Sequence, residues 1–210
     1  AVDAMHVAMV RMEIDAAAFE AWDCEACTIG FELKKLHDLI GLAESGDLIE
    51  MNYDENDGRV NIQVGEINRT IRPLDRATML EPKVPEVELN SSVKLSAIKF
   101  SRALRAAKQV GDLATISLNA QSFGVNVSGD TDTVNVSYDA GELEDLTCDG
   151  PVKSQYSLSL LYPMAKRMEA IVDSVTLFFN ENHPLRLEFD FADGAGRCVY
   201  FLAPRIEGDA

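Results

Sequence analysis

The sequence has little positive charge and few histidines. Its 210 residues include 19 lysines and arginines against 35 aspartates and glutamates, and only three histidines, for a formal net charge of −16. A surface of that sign repels phosphates, which argues against broad, nonspecific binding to nucleic acid. It is compatible with solubility in high salt, or with an exterior that repels DNA while a single face attracts it.

The usual sequence signatures of catalysis are missing as well. There is no P-loop, G-x-S-x-G or H-E-x-x-H motif, and His6, His37 and His183 stand in no nucleophile or metal constellation. The acidic clusters at 54–57 and 130–132 fit hairpin turns better than calcium loops, because neither has the full ligand spacing. We therefore predict no catalysis, no cofactor and no metal site.

Long apolar runs and a disulfide framework are also absent. No run reaches the roughly 18 apolar residues of a membrane span. The four cysteines are too few for a disulfide scaffold in a chain of this length, and the lone Cys24-x-x-Cys27 motif has no second pair that would complete a zinc site. Unpaired thiols are typical of a reducing compartment, so we expect a soluble intracellular protein.

What the sequence does contain is one basic segment. Residues 91–110 carry five positive charges and no acid, and their apolar residues recur at helical spacing, at Phe100, Ala103, Leu104 and Ala107. This predicts a helix over 96–110 whose other face holds Lys99, Arg102, Arg105 and Lys108. A solvated helix face would explain an isolated stripe. In so acidic a chain, a helix that carries basic residues and no acidic ones indicates a surface that contacts phosphates.

The segments 31–64 and 156–191 are similar to each other. Their residues match at offsets of 125 to 127 positions, as for Phe31 with Tyr156 and Ile49 with Val175. Each copy reads as a strand, a helix and two strands joined by a hairpin. A period of this length indicates two copies of a whole domain, and it predicts that about 37 residues of the first copy precede Ala1.

Residues 73–88, between the copies, contain three prolines and no sustained periodicity, which is typical of a surface linker. We therefore predict an N-terminal domain at 1–72, a connector at 73–88 and a C-terminal domain at 89–210. Further alternating segments predict strands at 113–118, 122–129 and 133–139. The predicted fold class is α+β, with antiparallel sheet outside and helices on one face. Pro163 should kink the helix of the second copy or delay its start.

Three segments carry a family resemblance. They are YFLAPRIE at 200–207, VDAMHVAMV at 2–10 and the hairpin VNVSGD at 125–130. With the duplication, the linker and the basic helix, they resemble the sliding-clamp family of archaea and eukaryotes, proliferating cell nuclear antigen (PCNA), over essentially the whole chain. The resemblance implies a DNA-clamp fold and a DNA polymerase processivity factor: a homotrimeric ring around duplex DNA, with helices lining the hole.

The resemblance also implies which residues would face DNA, through contacts that read charge and not base sequence. They are Lys99, Arg102, Arg105, Lys108, Lys166 and Arg167. The first domain departs from the family pattern, because its helix has Lys34 and Lys35 but Asp38 and Gly41 where many relatives carry cations.

The family binds partners in a hydrophobic pocket under the linker, which receives aliphatic and aromatic side chains of a short peptide. Carried over by position, the pocket consists of Val2, His6, Val7, Met9, Val84, Pro85, Pro184, Phe201, Leu202, Ala203 and Pro204. The implied partners are DNA polymerase, the clamp loader, flap endonuclease and DNA ligase. Most of these positions would otherwise be ordinary strand residues.

Ring closure in the family pairs edge strands head to tail. Here residues 65–72 would meet residues 132–139 of the next subunit, which predicts an interface of Arg69, Arg72, Asp132, Val134, Val136 and Asp139. The alternative is that these charges only keep exposed strand edges from pairing with other chains.

Two other interpretations stay open. The chain could be a diverged clamp subunit that assembles only with paralogues, which would fit the weakly basic helix of the first domain. It could also be an acidic metal-dependent hydrolase or nuclease. For the clamp interpretation, the acidity and the linker EPKVPE at 81–86 look archaeal, and we expect a cytoplasmic, nucleoid-associated protein.

Overall fold

The computed structural model describes residues 1–75, 77 and 82–206. In chain order the helices and strands are β1 (Ala8–Ile14), α1 (Leu33–Ile40), β2 (Ile49–Asp54), β3 (Arg59–Val64), β4 (Ile67–Ile71), β5 (Ser91–Ser96), α2 (Ala97–Lys108), β6 (Leu113–Asn119), β7 (Ser122–Ser128), β8 (Thr133–Asp139), β9 (Asp145–Thr147), β10 (Val152–Ser157), α3 (Leu158–Met168), β11 (Ser174–Phe179), β12 (Leu185–Phe191) and β13 (Gly196–Leu202). Among the described residues, no helix has the length and apolar character needed to cross a membrane.

The chain folds into two compact units. The larger unit combines Ala1–Trp22 with the chain from Val84 onward, and the smaller unit is Asp23–Lys83. Residues 1–22 belong to the larger unit because β1 pairs with β13, near the end of the chain. The domain boundaries given by the repeat stay a prediction. Part of the predicted connector lies outside the described residues.

Two antiparallel sheets and two helices build the larger unit. One sheet has the strand order β1-β13-β12-β11-β5-β9 and the other has the order β10-β6-β7-β8. Helices α2 and α3 pack against each other and share one hydrophobic core with the inner faces of both sheets. Phe100 and Phe123 are fully buried there, and each contributes about 1.5–3 kcal/mol of burial free energy. The α+β prediction is confirmed.

The smaller unit has a three-stranded sheet, β2-β3-β4, with α1 against it. Val60, Ile62 and Val64 of β3 are buried beneath Leu39 of α1. All of β2 remains exposed, although the residues that match it in β11 alternate between buried and half-buried. Among the described residues, no second layer covers β2.

The repeat is visible in the structure. Helix α1 and strands β2 and β3 correspond to α3, β11 and β12, and by chain order β1 corresponds to β8. By chain order, β4 corresponds to β13. The first copy departs from the predicted pattern at its initial strand, which is reduced to a single bridge between Gly30 and Leu74.

Helix boundaries differ from the predicted ones in two places. The basic helix begins at Ala97 because residues 91–96 alternate as strand β5, which carries Lys94. Helix α3 begins at Leu158, so of the two outcomes expected from Pro163 the delayed start is wrong, and the kink stays a prediction. Pro163 lies inside the helix, where it has no amide proton to donate to the Ser159 carbonyl. The three strands predicted at 113–139 are confirmed as β6, β7 and β8.

Candidate nucleic-acid and partner interfaces

Helix α2 separates apolar and basic residues as the sequence predicts. Phe100, Ala103, Leu104 and Ala107 are buried in the core of the larger unit. The four cations Lys99, Arg102, Arg105 and Lys108 are exposed on the other side. The core packing of α2 therefore fixes the direction in which its basic side chains project.

Two of these four cations already have acidic neighbours. Lys99 Nζ lies 3.6 Å from Glu142 Oε1 and 5.7 Å from the centre of the Tyr138 ring. Lys108 forms an ion pair with Asp112, four residues further along the chain. Arg102 and Arg105 form no ion pair with any described residue. The helix thus presents two cations whose charge is partly neutralised and two whose charge is not.

Helix α3 adds two cations next to α2. Lys166 and Arg167 are exposed in its last turn and form no ion pair with a described residue. Cations in the last turn of a helix also stabilise it through the helix dipole, and this explains their presence without any ligand. Because α2 and α3 are packed together, the exposed cations of both helices form one surface, which we call the helical basic face.

The outward face of the six-stranded sheet has a different charge arrangement. Its cations lie against carboxylates: Arg186 and Arg197 are 2.9 and 2.7 Å from Glu188, and Lys94 is 3.3 Å from Glu144. Arg11 pairs with Glu13 on the same face. The cations on the outward face of the six-stranded sheet are thus paired with carboxylates, whereas Arg102, Arg105, Lys166 and Arg167 on the helices form no ion pair with a described residue.

The predicted partner pocket lies where β1 and β13 meet. Met9 pairs directly with Phe201, and these residues are 9% and 6% exposed. Neither belongs to the main core, because both point to the outward side of the six-stranded sheet. Val2 forms a bridge to Met9, so the N-terminal turn folds back beside them. The structure thus brings Val2, Met9 and Phe201 together.

Asp3 holds that N-terminal turn in place. Its Oδ1 accepts hydrogen bonds of 2.7 Å from the amides of Val7 and Ala8. These bonds to the ionised form, led by that of Ala8, hold the pKa of Asp3 below its usual range. The turn places His6 in the left-handed region at φ 55°, with its side chain exposed. The Ala203 amide donates to the Val7 carbonyl at 2.8 Å, which ties the turn to the end of β13.

The other predicted pocket residues differ in placement. Leu202 is 1% exposed and belongs to the main core, on the opposite face of β13 from Phe201. Ala203, Pro204 and Pro184 are half-buried. Val84 and Pro85 are exposed in irregular chain. Leu202 therefore acts as a core residue beneath the pocket.

The predicted subunit-interface residues lie on or directly next to the outer strands of two sheets: Arg72 follows β4 and Asp132 precedes β8. Strand β8 is the last strand of the four-stranded sheet, and β4 is the last strand of the three-stranded sheet. Arg69, Arg72, Asp132 and Asp139 are exposed, and Val134 and Val136 are half-buried. Both strands thus have one edge that is unpaired among the described residues.

Sequence reasoning missed Glu142, Asp112 and Tyr138. The pair of Lys108 with Asp112 could have been found, since a spacing of four residues at a helix end brings the side chains together. The contact of Lys99 with Glu142 crosses from α2 to the turn after β8, and no sequence pattern indicates it.

Metal-binding geometry is absent from the part of the chain that the structure describes. No cluster there has three or more histidine, cysteine or acidic side chains that could hold an ion. Cys24 and Cys27 are exposed free thiols. Cys198 is buried, and burial raises the pKa of its thiol.

Comparison with protein families gives two adjacent matches. Residues 1–80 match the proliferating cell nuclear antigen N-terminal domain, and residues 83–205 match its C-terminal domain. The DNA polymerase sliding clamp of Methanosarcina mazei is 37% identical over 210 residues, and that of Natronomonas pharaonis is 35% identical over 212. Each alignment covers 100% of this chain and 85% of the relative.

Solved structures with the same fold are also known. A. fulgidus PCNA bound to the C-terminal region of FEN-1 superimposes with a TM-score of 0.90 at 27% identity, covering 100% of this chain and 85% of that one. PCNA from Thermococcus kodakaraensis gives 0.85 at 23% identity, covering 98% and 85%, which is a likeness of fold alone.

Proposed function

The chain belongs to the proliferating cell nuclear antigen family and is a sliding clamp, a DNA polymerase processivity factor, and we propose that it encircles duplex DNA as a ring of three copies. The observation that carries this proposal is the helical basic face, where Arg102, Arg105, Lys166 and Arg167 stand unpaired in a chain of net charge −16. Such contacts with phosphates are independent of base sequence, so a ring held by them slides.

Ring closure is supported by the way the chain pairs its own strands. Because β8 corresponds to β1 and β4 corresponds to β13, the internal pairing of β1 with β13 is a template for pairing β8 with β4 of another copy. In that template core-facing residues stand opposite each other, as Val10 does to Tyr200, so the core-facing Val136 of β8 would join the face of β4 that holds Ile71. An exposed strand edge that gains a partner also loses its tendency to aggregate.

The charges at the two proposed edges are opposite in sign. Arg69 and Arg72 lie on or next to β4, and Asp132 and Asp139 lie on or next to β8, so the two edges attract each other. Assembly with paralogous subunits instead of identical ones is the alternative, and it would use the same edges.

We propose that partner enzymes bind at Met9 and Phe201 through short peptides. The support is an apolar site on the outward face of the sheet, flanked by Val2, Val7 and Pro204 and reached without crossing the helices. The A. fulgidus relative is solved with the C-terminal region of FEN-1. DNA polymerase, the clamp loader, flap endonuclease and DNA ligase are the partners we propose here, at the nucleoid in the cytoplasm.

The family is non-catalytic, and we propose the same for this chain. The competing hypothesis of a metal-dependent nuclease is tested by incubating the protein and nicked duplex DNA with magnesium or manganese. Turnover that persists through purification would overturn the clamp proposal.

The test of the DNA-binding face is a double substitution, Arg102→Ala with Arg105→Ala, compared with Arg11→Ala plus Arg197→Ala on the sheet face. Both variants lose the same charge. Affinity for a labelled duplex is measured by fluorescence anisotropy over a series of salt concentrations. We expect the helix variant to bind more weakly and to lose about 0.9 from the log–log salt slope for each phosphate contact removed. Equal losses in the two variants would contradict the assignment of the face.

A further inference from the structure

We propose that Glu142 and Asp112 limit the affinity of the helical basic face for DNA, each by occupying a lysine of α2 that would otherwise contact a phosphate. The inference rests on the proposed function, since it concerns the same face. Of the six cations that the sequence assigns to DNA, only four would then act at full charge.

Glu142 is held in position by the structure around it. It ends the turn Ala140–Glu142 that follows β8, and its Oε2 accepts a hydrogen bond of 3.2 Å from the Asp139 amide. Its Oε1 lies 3.6 Å from Lys99 Nζ. The Tyr138 hydroxyl donates to the Lys99 carbonyl at 2.9 Å, so this edge of the sheet is fastened to α2 at the same residue.

Asp112 occupies Lys108 from the other end of the helix. It lies just beyond the C-terminus of α2, and its side chain accepts a hydrogen bond from Lys108 Nζ. That bond, with the charge of Lys108, holds the pKa of Asp112 below its usual range, so the carboxylate is ionised at neutral pH. Its side chain is 84% exposed and is therefore directed to solvent on this surface.

A phosphate that approaches either lysine meets a pair of zero net charge. Exposed ion pairs are weak, so the phosphate can displace the carboxylate, but it then lies close to a second negative charge. Fewer counterions leave the DNA for each such contact, which lowers both affinity and its dependence on salt. A ring that stays on DNA because it is closed needs no tight contact, and weaker contacts let it move.

The test compares Glu142→Gln and Asp112→Asn with the unaltered protein in the same anisotropy assay. In Glu142→Gln the side-chain carboxamide keeps an oxygen that can accept the hydrogen bond from the Asp139 amide, so the turn is preserved. Asp112 does not hold this turn, so any change in DNA affinity in either variant reflects the lost charge. We expect each to bind duplex DNA about threefold more tightly at low salt and to steepen the salt slope by about 0.9. Glu13→Gln is the matched control, because it frees Arg11 on the sheet face with the same change of charge, and we expect its slope to be unchanged.

Three results would overturn the inference. If both variants bind like the unaltered protein while the Arg102 and Arg105 substitutions still weaken binding, the inference fails and the proposed function stands. If Glu13→Gln tightens binding equally, net charge and not the local pair is responsible. If no form of the protein binds duplex DNA in a salt-dependent way, the proposed function fails and the inference fails with it.

Discussion

Phe201 and Leu202 are consecutive residues with opposite orientations on β13. Phe201 faces Met9 on the outward side of the sheet, and Leu202 lies in the main core next to Leu185. Alternation along a strand makes this unavoidable. A substitution that changes both residues would therefore mix a loss of partner binding with a loss of stability.

Single substitutions should separate the two effects. Leu202→Ala is expected to lower the free energy of unfolding by about 2–5 kcal/mol, because it leaves a cavity in the core. Phe201→Ala is expected to abolish capture of a partner peptide while DNA binding persists, since aromatic anchors carry most of such affinity. Urea denaturation measures the first effect, and peptide binding followed by calorimetry measures the second. Intact peptide binding by Phe201→Ala would show that the pocket lies elsewhere.

Strands β4 and β8 are the elements on which the proposed assembly depends. Arg69 and Arg72 lie on or next to β4, and Asp132 and Asp139 lie on or next to β8. The matching charges suit pairing between copies of the chain and disfavour pairing between two identical edges, where like charges would meet.

A charge swap tests this pairing. Arg72→Asp should reduce the mass measured by light scattering after size exclusion, because it replaces a cation of the proposed joint with an acid opposite the acidic edge of β8. Arg72→Asp combined with Asp132→Arg should restore the mass of the unaltered protein. The unaltered protein is expected to have the mass of three chains. A single-chain mass for the unaltered protein alone, with a larger mass after mixing with related subunits, would favour the paralogue alternative.

Buried phenols connect the pH of the medium to the stability of the whole larger unit. Burial raises the pKa of Tyr156 and of Tyr200 to about 12 each. Their hydroxyls donate to the carbonyls of His183 and Leu160 at 2.8 and 3.3 Å. In the unfolded chain a phenol ionises near pH 10, so between about pH 10 and 12 the unfolded state loses protons that the folded state keeps.

Stability should therefore be fully retained below about pH 10 and should fall as the pH rises towards 12. Tyr156→Phe should flatten that fall, at a cost of about 0.5–1.5 kcal/mol at neutral pH for the lost hydrogen bond. Urea denaturation at neutral and alkaline pH measures both quantities. An equally steep alkaline fall in the variant would mean that other groups cause it.

The sequence predicts much of this molecule because its strongest signals are periodic. The stripe of Phe100 and Leu104 predicts α2, and the internal repeat predicts the order of strands in each copy. The predicted helix start at residue 96 is one residue early, because Ser96 still belongs to β5. The burial of Leu202 depends on which side of β13 faces the core, which the resemblance by position does not indicate. The contact of Lys99 with Glu142 depends on a turn that is distant in sequence, so a count of charges along α2 does not predict it.

The pairing of β1 with β13 has a consequence for how the proposed ring would open. Inside one chain that joint is tethered by peptide bonds, so its effective concentration does not depend on how much protein is present. The equivalent joint between β8 and β4 has no tether, and its occupancy follows mass action. Dilution should open every ring at the untethered joints and leave each chain folded. A clamp loader that places the proposed ring on DNA would then need to recognise only one kind of joint between subunits.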